Sequence, residues 1–373
     1  MPDRPLTIFH LTHEGHGSGS TNVIASLSRQ LARRGHRVLV GCRAGSALAG
    51  LARDAGLSLV QLDFGGLAPL AQQLDAVITR EQVDLVNSHG TLDRRALTWL
   101  RWRRRLQRPF VVTRHTMPLT SPVELIAVGL SADRTIAVSP TVARALRQRM
   151  YPPARLRVVT NGIELERIDA RPIEANVARA RAALGDLGGR PVVLVLARRK
   201  DQDILLRGLA ALERPVVVAC VGIEADAELQ AAERLVPARH RVVYVPFTDN
   251  PLAFCRLATV SALPSRIEGL SIALLETMAL GLPVVASDAG GNPDLITTGE
   301  TGVLVPPREP VAWAKALARV LDDRDFAARI ARRGSELVRR EFTLDRSVDR
   351  TEAVYREALE RRRSLGGDHA RPR

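Results

Sequence analysis

The chain has 373 residues, 46% hydrophobic and 25% charged, the proportions of a folded globular protein with two domains at roughly 150 residues each. That balance excludes a mainly disordered chain, and 27 Gly and 22 Pro without a repeat exclude collagen-like and low-complexity classes. The formal net charge is +14, but Lys200 and Lys315 are the only lysines, and the arginines scatter over polar helix faces such as Arg33-Arg34, Arg332-Arg333 and Arg339-Arg340. So even a distribution reads as a general arginine bias rather than a nucleic-acid surface.

In chain order, short apolar runs alternate with amphipathic stretches. Leu6–Leu11 reads as a strand, Thr21–Arg34 as a helix stopped by Gly35, His36–Val40 as a strand and Ala47–Ala55 as a helix. Next come the strand Leu57–Leu62, the helix Leu67–Glu81, the strand Asp84–Asn87 and a helix near Leu92–Leu106. The strands Phe110–Thr113, Thr135–Val138 and Leu156–Val159 complete the first series. Continuously apolar strands separated by helices indicate a parallel sheet covered on both faces.

A polar, Arg/Ala-rich stretch runs to about Gly189, and the pattern then restarts. Val192–Leu196, Val216–Val221, Val242–Val245, Thr259–Leu263, Val284–Ala286 and Gly302–Val305 read as strands with helices between them. The expected architecture is α/β, two doubly wound Rossmann-like domains facing across a cleft. The first spans residues 1–165, and residues 166–188 link it to the second, over 189–342. A closing helix over 343–363 returns to the first domain, and 364–373 is a frayed tail. The cleft is the expected ligand site, closing about the linker, because the carboxyl ends of the strands meet there.

Cys42, Cys220 and Cys255 have no C-x-x-C spacing, so neither a disulfide framework nor a zinc site is expected. The start carries no signal-peptide pattern, and no apolar run approaches the ~18 residues of a membrane span. A cytoplasmic protein, free or peripheral on the inner face of the cytoplasmic membrane, is the expectation.

The most informative stretch runs from Pro264 to Gly291. A strand ends at Pro264, a short loop carries Glu268-Gly269, and a helix begins near Ser271. Such a turn aims free N–H groups and a positive dipole end at a ligand, where a pyrophosphate can sit. Glu268 can reach hydroxyls on a neutral ligand, and Glu276, early in the helix, suits two vicinal hydroxyls such as those of a ribose. Gly290-Gly291, after the next strand, would let the backbone approach the same ligand.

Glu268-x7-Glu276 followed by Ala279-Leu-Gly-Leu-Pro-Val-Val-Ala286 resembles the signature of retaining glycosyltransferases of family 4, the two-domain GT-B fold. Asn22–Val40, Ile136-Ala-Val-Ser-Pro140, Val158-Val-Thr-Asn161-Gly162-Ile163, Arg198–Leu206 and Phe342–Leu359 resemble further segments of that family, across nearly the whole chain. Asn87-Ser-His89 and Thr113-Arg-His115 look most like enzymes of lipopolysaccharide and cell-surface polysaccharide assembly. The resemblance implies transfer of a hexose-type sugar from a nucleoside diphosphate donor to a glycan or glycolipid acceptor, with retention and without a metal or other cofactor.

By the same resemblance Arg198 and Lys200 face the donor diphosphate, Glu268 the transferred sugar, and Glu276 the ribose. Gly269, Leu270 and Ser271 would supply backbone donors, with Gly17, Asn161, Gly290 and Gly291 also on the donor side. Three segments depart from the pattern: Leu270-Ser271 stand where the family has Phe-Gly, Asp201 where it has Gly, and Cys220-Val-Gly222 keeps one glycine of Gly-x-Gly.

Gly15, Gly17 and Gly19 precede the first helix and suit donor phosphates or the acceptor, and Gly15 and Gly19 are placed on the acceptor side. Val40-Gly-Cys-Arg43 lacks the acid that a dinucleotide site would want, which argues against an NAD enzyme. His89 and His115 each follow a strand; His89 is expected as proton or hydrogen-bond partner to the acceptor, and His115 on the acceptor side or as a loop support. His13 and His16 receive no role. Trp99, Arg101, Trp102, Arg103, Arg104 and Arg105 lie on a helix that could rest on an anionic membrane or simply bury Leu100 and Leu106. Fold alone leaves open a sugar-nucleotide epimerase or phosphorylase, or a non-catalytic basic protein bound to membrane or nucleic acid.

Overall fold

A computed structural model describes residues 4–15, 17, 19–118, 120–170 and 173–367. The chain divides into two compact units, residues 1–162 with 344–373, and residues 163–343.

The first unit carries strands β1 (Thr7–Leu11), β2 (Arg37–Cys42), β3 (Ser58–Gln61), β4 (Leu85–Ser88), β5 (Phe110–Arg114), β6 (Arg134–Ala137) and β7 (Leu156–Val158). They form one seven-stranded sheet in the order β3-β2-β1-β4-β5-β6-β7, with every pair parallel. Its helices are α1 (Gly19–Arg33), α2 (Ala47–Asp54), α3 (Leu67–Arg80), α4 (Thr91–Trp102), α5 (Pro122–Ser131) and α6 (Pro140–Gln148). The period-2 geometry of β1 sends Ile8 to one face, packed with Leu31, Val40 and Leu48, and Phe9 to the other, with Leu74, Leu97 and Phe110.

In the second unit α7 (Leu165–Asp169) and α8 (Glu174–Leu184) precede β8 (Val192–Leu196), α9 (Gln202–Gly208), β9 (Val217–Val221), α10 (Ala227–Glu233) and β10 (Arg241–Val245). There follow α11 (Pro251–Cys255), β11 (Val260–Leu263), α12 (Ile272–Ala279), β12 (Val284–Ser287), β13 (Val303–Val305), α13 (Pro310–Asp322) and α14 (Arg324–Glu341). The sheet order is β10-β9-β8-β11-β12-β13, again parallel throughout. The long α15 (Leu344–Gly367) belongs to the first unit, where Val348, Val354, Tyr355 and Ala358 enter the core beside Ile8.

Three expectations need correction. Residues 166–188 hold α7 and α8 instead of a bare linker: Ala180 and Leu184 pack against Val192, Val217 and Phe254 of the second unit. Burying a leucine such as Leu184 contributes about 2 kcal/mol toward docking the helix on its sheet. The helix near Leu92–Leu106 stops at Trp102, and Arg104 takes a left-handed φ of 56° in the turn that follows. Helices α5 and α6 are additional, each opened by a Ser N-cap and a Pro at its first position, Ser121-Pro122 and Ser139-Pro140.

Candidate active site

In each sheet the strand order reverses beside the first strand, between β1 and β4 and between β8 and β11, which leaves a crevice at the carboxyl ends. The expected site residues follow those strands.

In the second unit three loops are stitched together. The Asp201 N–H donates to Pro264 O at 3.1 Å, Ser265 N–H to Ser287 Oγ at 3.0 Å, and Gly291 N–H to Glu268 O at 3.2 Å. Within this frame Lys200 Nζ lies 2.9 Å from Glu268 Oε1, and Arg266 Nε lies 3.0 Å from Asp201 Oδ1. Asp201, where the family pattern has glycine, therefore ties the turn after β8 to the Glu268 loop. Arg198 is exposed in that same turn. Its neighbour Arg199 is held by Asp203, Asp226 and Glu228 and serves structure.

Ser271 caps α12, its hydroxyl accepting from Leu274 N–H at 3.3 Å. Gly269, Leu270 and Ser271 are buried, and their N–H groups donate to no acceptor among the described residues. This is the anion-ready helix start that the sequence suggests. Glu276 is 5% exposed and pairs with Arg167 of α7, Nη1 to Oε1 2.6 Å. Burial pushes its carboxyl up, against the opposing pull of Arg167.

Gly290 corrects an expectation. At φ +56° a Cβ there would lie 2.3 Å from Glu268 O and 2.5 Å from Glu268 N. The close approach that demands glycine is thus to the Glu268 backbone, and Gly290-Gly291 shape the loop that presents the carboxylate.

In the first unit His10 of β1, His89 after β4 and His115 after β5 meet in one buried line. His89 Nδ1 is 2.9 Å from His115 Nε2, and His89 Nε2 is 3.3 Å from His10 Nδ1. His89, expected beside the acceptor, therefore has both ring nitrogens committed to other imidazoles; the uncommitted nitrogen is His115 Nδ1, buried without a partner among the described residues. Burial lowers all three: His10 to about 3, His115 to about 4, and His89 well below its ordinary value. The rings are neutral.

Asp93, fully buried, joins the loops after β1 and β4 by accepting from His13 Nδ1, Ser88 Oγ and Gly90 N–H. Burial pushes its carboxyl up, but those hydrogen bonds outweigh it and hold it below the usual range. His13 thereby gains a structural role.

Arg114 ends β5 at 7% exposure, lowered to about 10 by burial and by neighbouring Arg94. Among the described residues no carboxylate lies within ion-pair distance of it. Arg94, 3% exposed, donates to Gly90 O at 2.9 Å and lies 3.6 Å from Glu124 Oε1. A buried guanidinium whose nearest carboxylates, Glu124 and Glu14, act on it only from beyond ion-pair distance is costly, and an anionic ligand would relieve it. The sequence marks Arg114 only as the middle residue of Thr113-Arg-His115, without a role of its own.

The other expected residues have local functions. Gly15 packs on the start of α2, where a Cβ would meet Ser46 Oγ at 3.0 Å, and Gly19 opens α1. Gly17 lies in the bend between them, and Asn161 is buried at the end of the first unit. His16 lies outside the described residues. Around Trp102 the expected cationic face is largely engaged: Arg101 pairs with Asp133 at 2.8 Å, Arg105 with Asp75, and Arg103 covers the Trp99 ring. Trp102 stays 65% exposed with its Nε1–H on Ser131 Oγ, and Arg104 sits in the turn. No helix among the described residues is long and apolar enough to cross a membrane.

Comparison with known proteins bears on this geometry. A family model described as Glycosyltransferase Family 4 matches residues 17–167, and one described as Glycosyl transferases group 1 matches residues 190–323. The D-inositol 3-phosphate glycosyltransferase of Salinispora tropica is 31% identical over 334 residues, covering 79% of this chain and 68% of that protein. The enzyme of the same name from Thermobispora bispora is 32% identical, covering 77% and 73%. Anabaena HepE, solved with UDP and glucose, superposes with a TM-score of 0.80 at 21% identity, over 94% of this chain and 99% of that one. The chain belongs to glycosyltransferase family 4, whose members transfer a glycosyl group from a nucleotide-sugar donor.

Proposed function

We propose that this protein is a retaining, metal-independent glycosyltransferase that moves a hexose-type sugar from a nucleoside diphosphate to a hydroxyl of an acceptor carrying a phosphate. The second unit holds the donor. Arg198, Lys200 and the α12 start meet the diphosphate, Glu268 the sugar hydroxyls and Glu276 the ribose. The bond from the anomeric carbon to the diphosphate breaks as the bond to the acceptor oxygen forms on the same face. The acceptor proton passes to the departing diphosphate, so positioning and electrostatics supply the rate.

The observation that carries the acceptor class is Arg114, a buried guanidinium without a carboxylate partner beside buried Arg94. The relatives named for inositol 3-phosphate support it. A phosphorylated polyol and a phosphate-bearing glycolipid of envelope assembly share that chemistry. Contact with an anionic membrane, through exposed Trp102 and Leu130, belongs to the glycolipid case. The test is transfer from labelled nucleotide sugars to phosphorylated acceptors and their dephosphorylated counterparts, with wild type and Arg114→Met. A preference for the phosphorylated form that Arg114→Met abolishes is expected; equal use of both forms by wild type would refute the acceptor class.

A further inference from the structure

The three imidazoles extend into a longer chain whose polarity can be assigned. Tyr355 of α15, 1% exposed, places its hydroxyl 3.0 Å from His10 Nε2. The Thr113 hydroxyl donates to Asn87 Oδ1 at 3.0 Å, so the Asn87 amide N–H donates to the Tyr355 oxygen at 2.7 Å. With its oxygen accepting, Tyr355 has its proton free for His10 Nε2. Each neutral ring has one N–H, so the polarity propagates. With Tyr355 donating to its Nε2, His10 would give its Nδ1–H to His89 Nε2, with Ser28 Oγ at 3.4 Å as a second acceptor, and His89 would give its Nδ1–H to His115 Nε2. His115 is left with an N–H at Nδ1, the buried atom without a partner among the described residues.

We infer that Asn87, Tyr355 and His10 are positioning residues that act through His89 to hold His115 as an Nδ1–H donor for an uncharged oxygen of the acceptor. The inference rests on the transfer reaction proposed above for what the donor meets. Two observations support a functional role. A buried donor without a partner carries a penalty of about 1–3 kcal/mol, which a ligand hydroxyl oxygen would remove. Burial of all three rings excludes the imidazolium form, so the device offers direction without charge. Tyr355 comes from the C-terminal helix and His10 from the first strand, so the relay also makes α15 part of the site within the first unit.

The experiment is long-range 1H–15N correlation on the ¹⁵N-histidine-labelled full chain near pH 7.5, without substrate, beside steady-state transfer kinetics. The expected result is the Nδ1–H tautomer for His10, His89 and His115, the reverse of the form that dominates free imidazole side chains. Tyr355→Phe, which keeps the ring and removes the terminal donor, should give mixed tautomers. Its kcat should fall about tenfold, the scale of one misdirected hydrogen bond, with the donor KM little changed. Asn87→Leu, which removes the donor to the Tyr355 oxygen, should likewise give mixed tautomers, and serves should Tyr355→Phe fail to fold. Wild-type rings in the Nε2–H or protonated form, or a Tyr355→Phe enzyme with unchanged kcat, would overturn the inference. A wild type that moves no sugar while its rings keep the Nδ1–H form would instead overturn the transfer reaction, because the tautomers are read without substrate.

Discussion

The Lys200 ammonium stands 2.9 Å from Glu268 Oε1 and reaches Ile267 O at 3.4 Å, so the cation expected on the diphosphate and the carboxylate expected on the sugar pair with each other. In the proposed reaction, donor binding would divide this pair, turning Lys200 to the diphosphate and freeing Glu268 for hydroxyls. The pre-existing contact keeps both side chains within reach of one ligand.

Replacing Lys200 with Ala should therefore cut transfer about 100-fold or more, since charge that develops on the leaving diphosphate loses its partner. Stability should change by no more than about 1 kcal/mol, because Lys200 is partly solvated. Transfer rates and urea unfolding check both statements. Near-normal rates in the variant would remove Lys200 from the diphosphate.

Glu276 sets stability against function. Its folded value is raised by burial, against Arg167, so the folded chain binds its proton more tightly than the unfolded chain does. The group therefore lowers stability as pH rises from the unfolded value near 4.5 through the raised folded value. Glu276→Gln should leave the protein as stable or more stable at pH 7, with Tm unchanged or higher, and should weaken nucleoside diphosphate binding at least tenfold if the ribose sits there. Calorimetric titration and thermal unfolding give the two readings. Unchanged affinity would displace the ribose from this carboxylate.

The buried histidines give a signed pH dependence. His10 is held at about 3 and His115 at about 4 by burial, below the unfolded value of 6.5, and His89 lies well below it. The stability they contribute is complete above about pH 6.5 and is lost as pH falls toward the folded values, at up to ~1.4 kcal/mol per pH unit for each ring. Unfolding free energies at pH 7.5, 6 and 5 should fall steeply, and His89→Gln should make the fall shallower. Parallel curves would mean that the rings accept protons in the folded state.

Gly290→Ala tests how the loops hold one another. A Cβ 2.3 Å from Glu268 O cannot be accommodated without moving that backbone, and φ +56° adds strain. The variant should lose about 100-fold or more in transfer and about 2 kcal/mol in stability, measured by kinetics and urea unfolding. A fully active alanine variant would show that the position of Glu268 is not critical.

The strands were legible because parallel strands buried on both faces are uninterrupted apolar runs, and Val192–Leu196 matches β8 to the residue. Helix α8 was hidden by its Arg/Ala composition, which masks an apolar face as narrow as Ala180 and Leu184. Glu268 and Glu276 were legible through the strand–loop–helix pattern that carries them, and Lys200 through the family resemblance. His10, Tyr355, Arg114 and Arg167 were not, since their meaning comes from partners far along the chain: Tyr355 finds His10 across 345 residues and Arg167 finds Glu276 across 109.

The most direct test of the central claim is NMR observation of the product anomer when the protein, treated with EDTA, is given an α-linked donor such as UDP-glucose and a phosphorylated acceptor. The account predicts an α-linked product with release of the nucleoside diphosphate, lost in Glu268→Ala. A β-linked product, or activity that disappears on chelation and returns with a divalent metal, would contradict it.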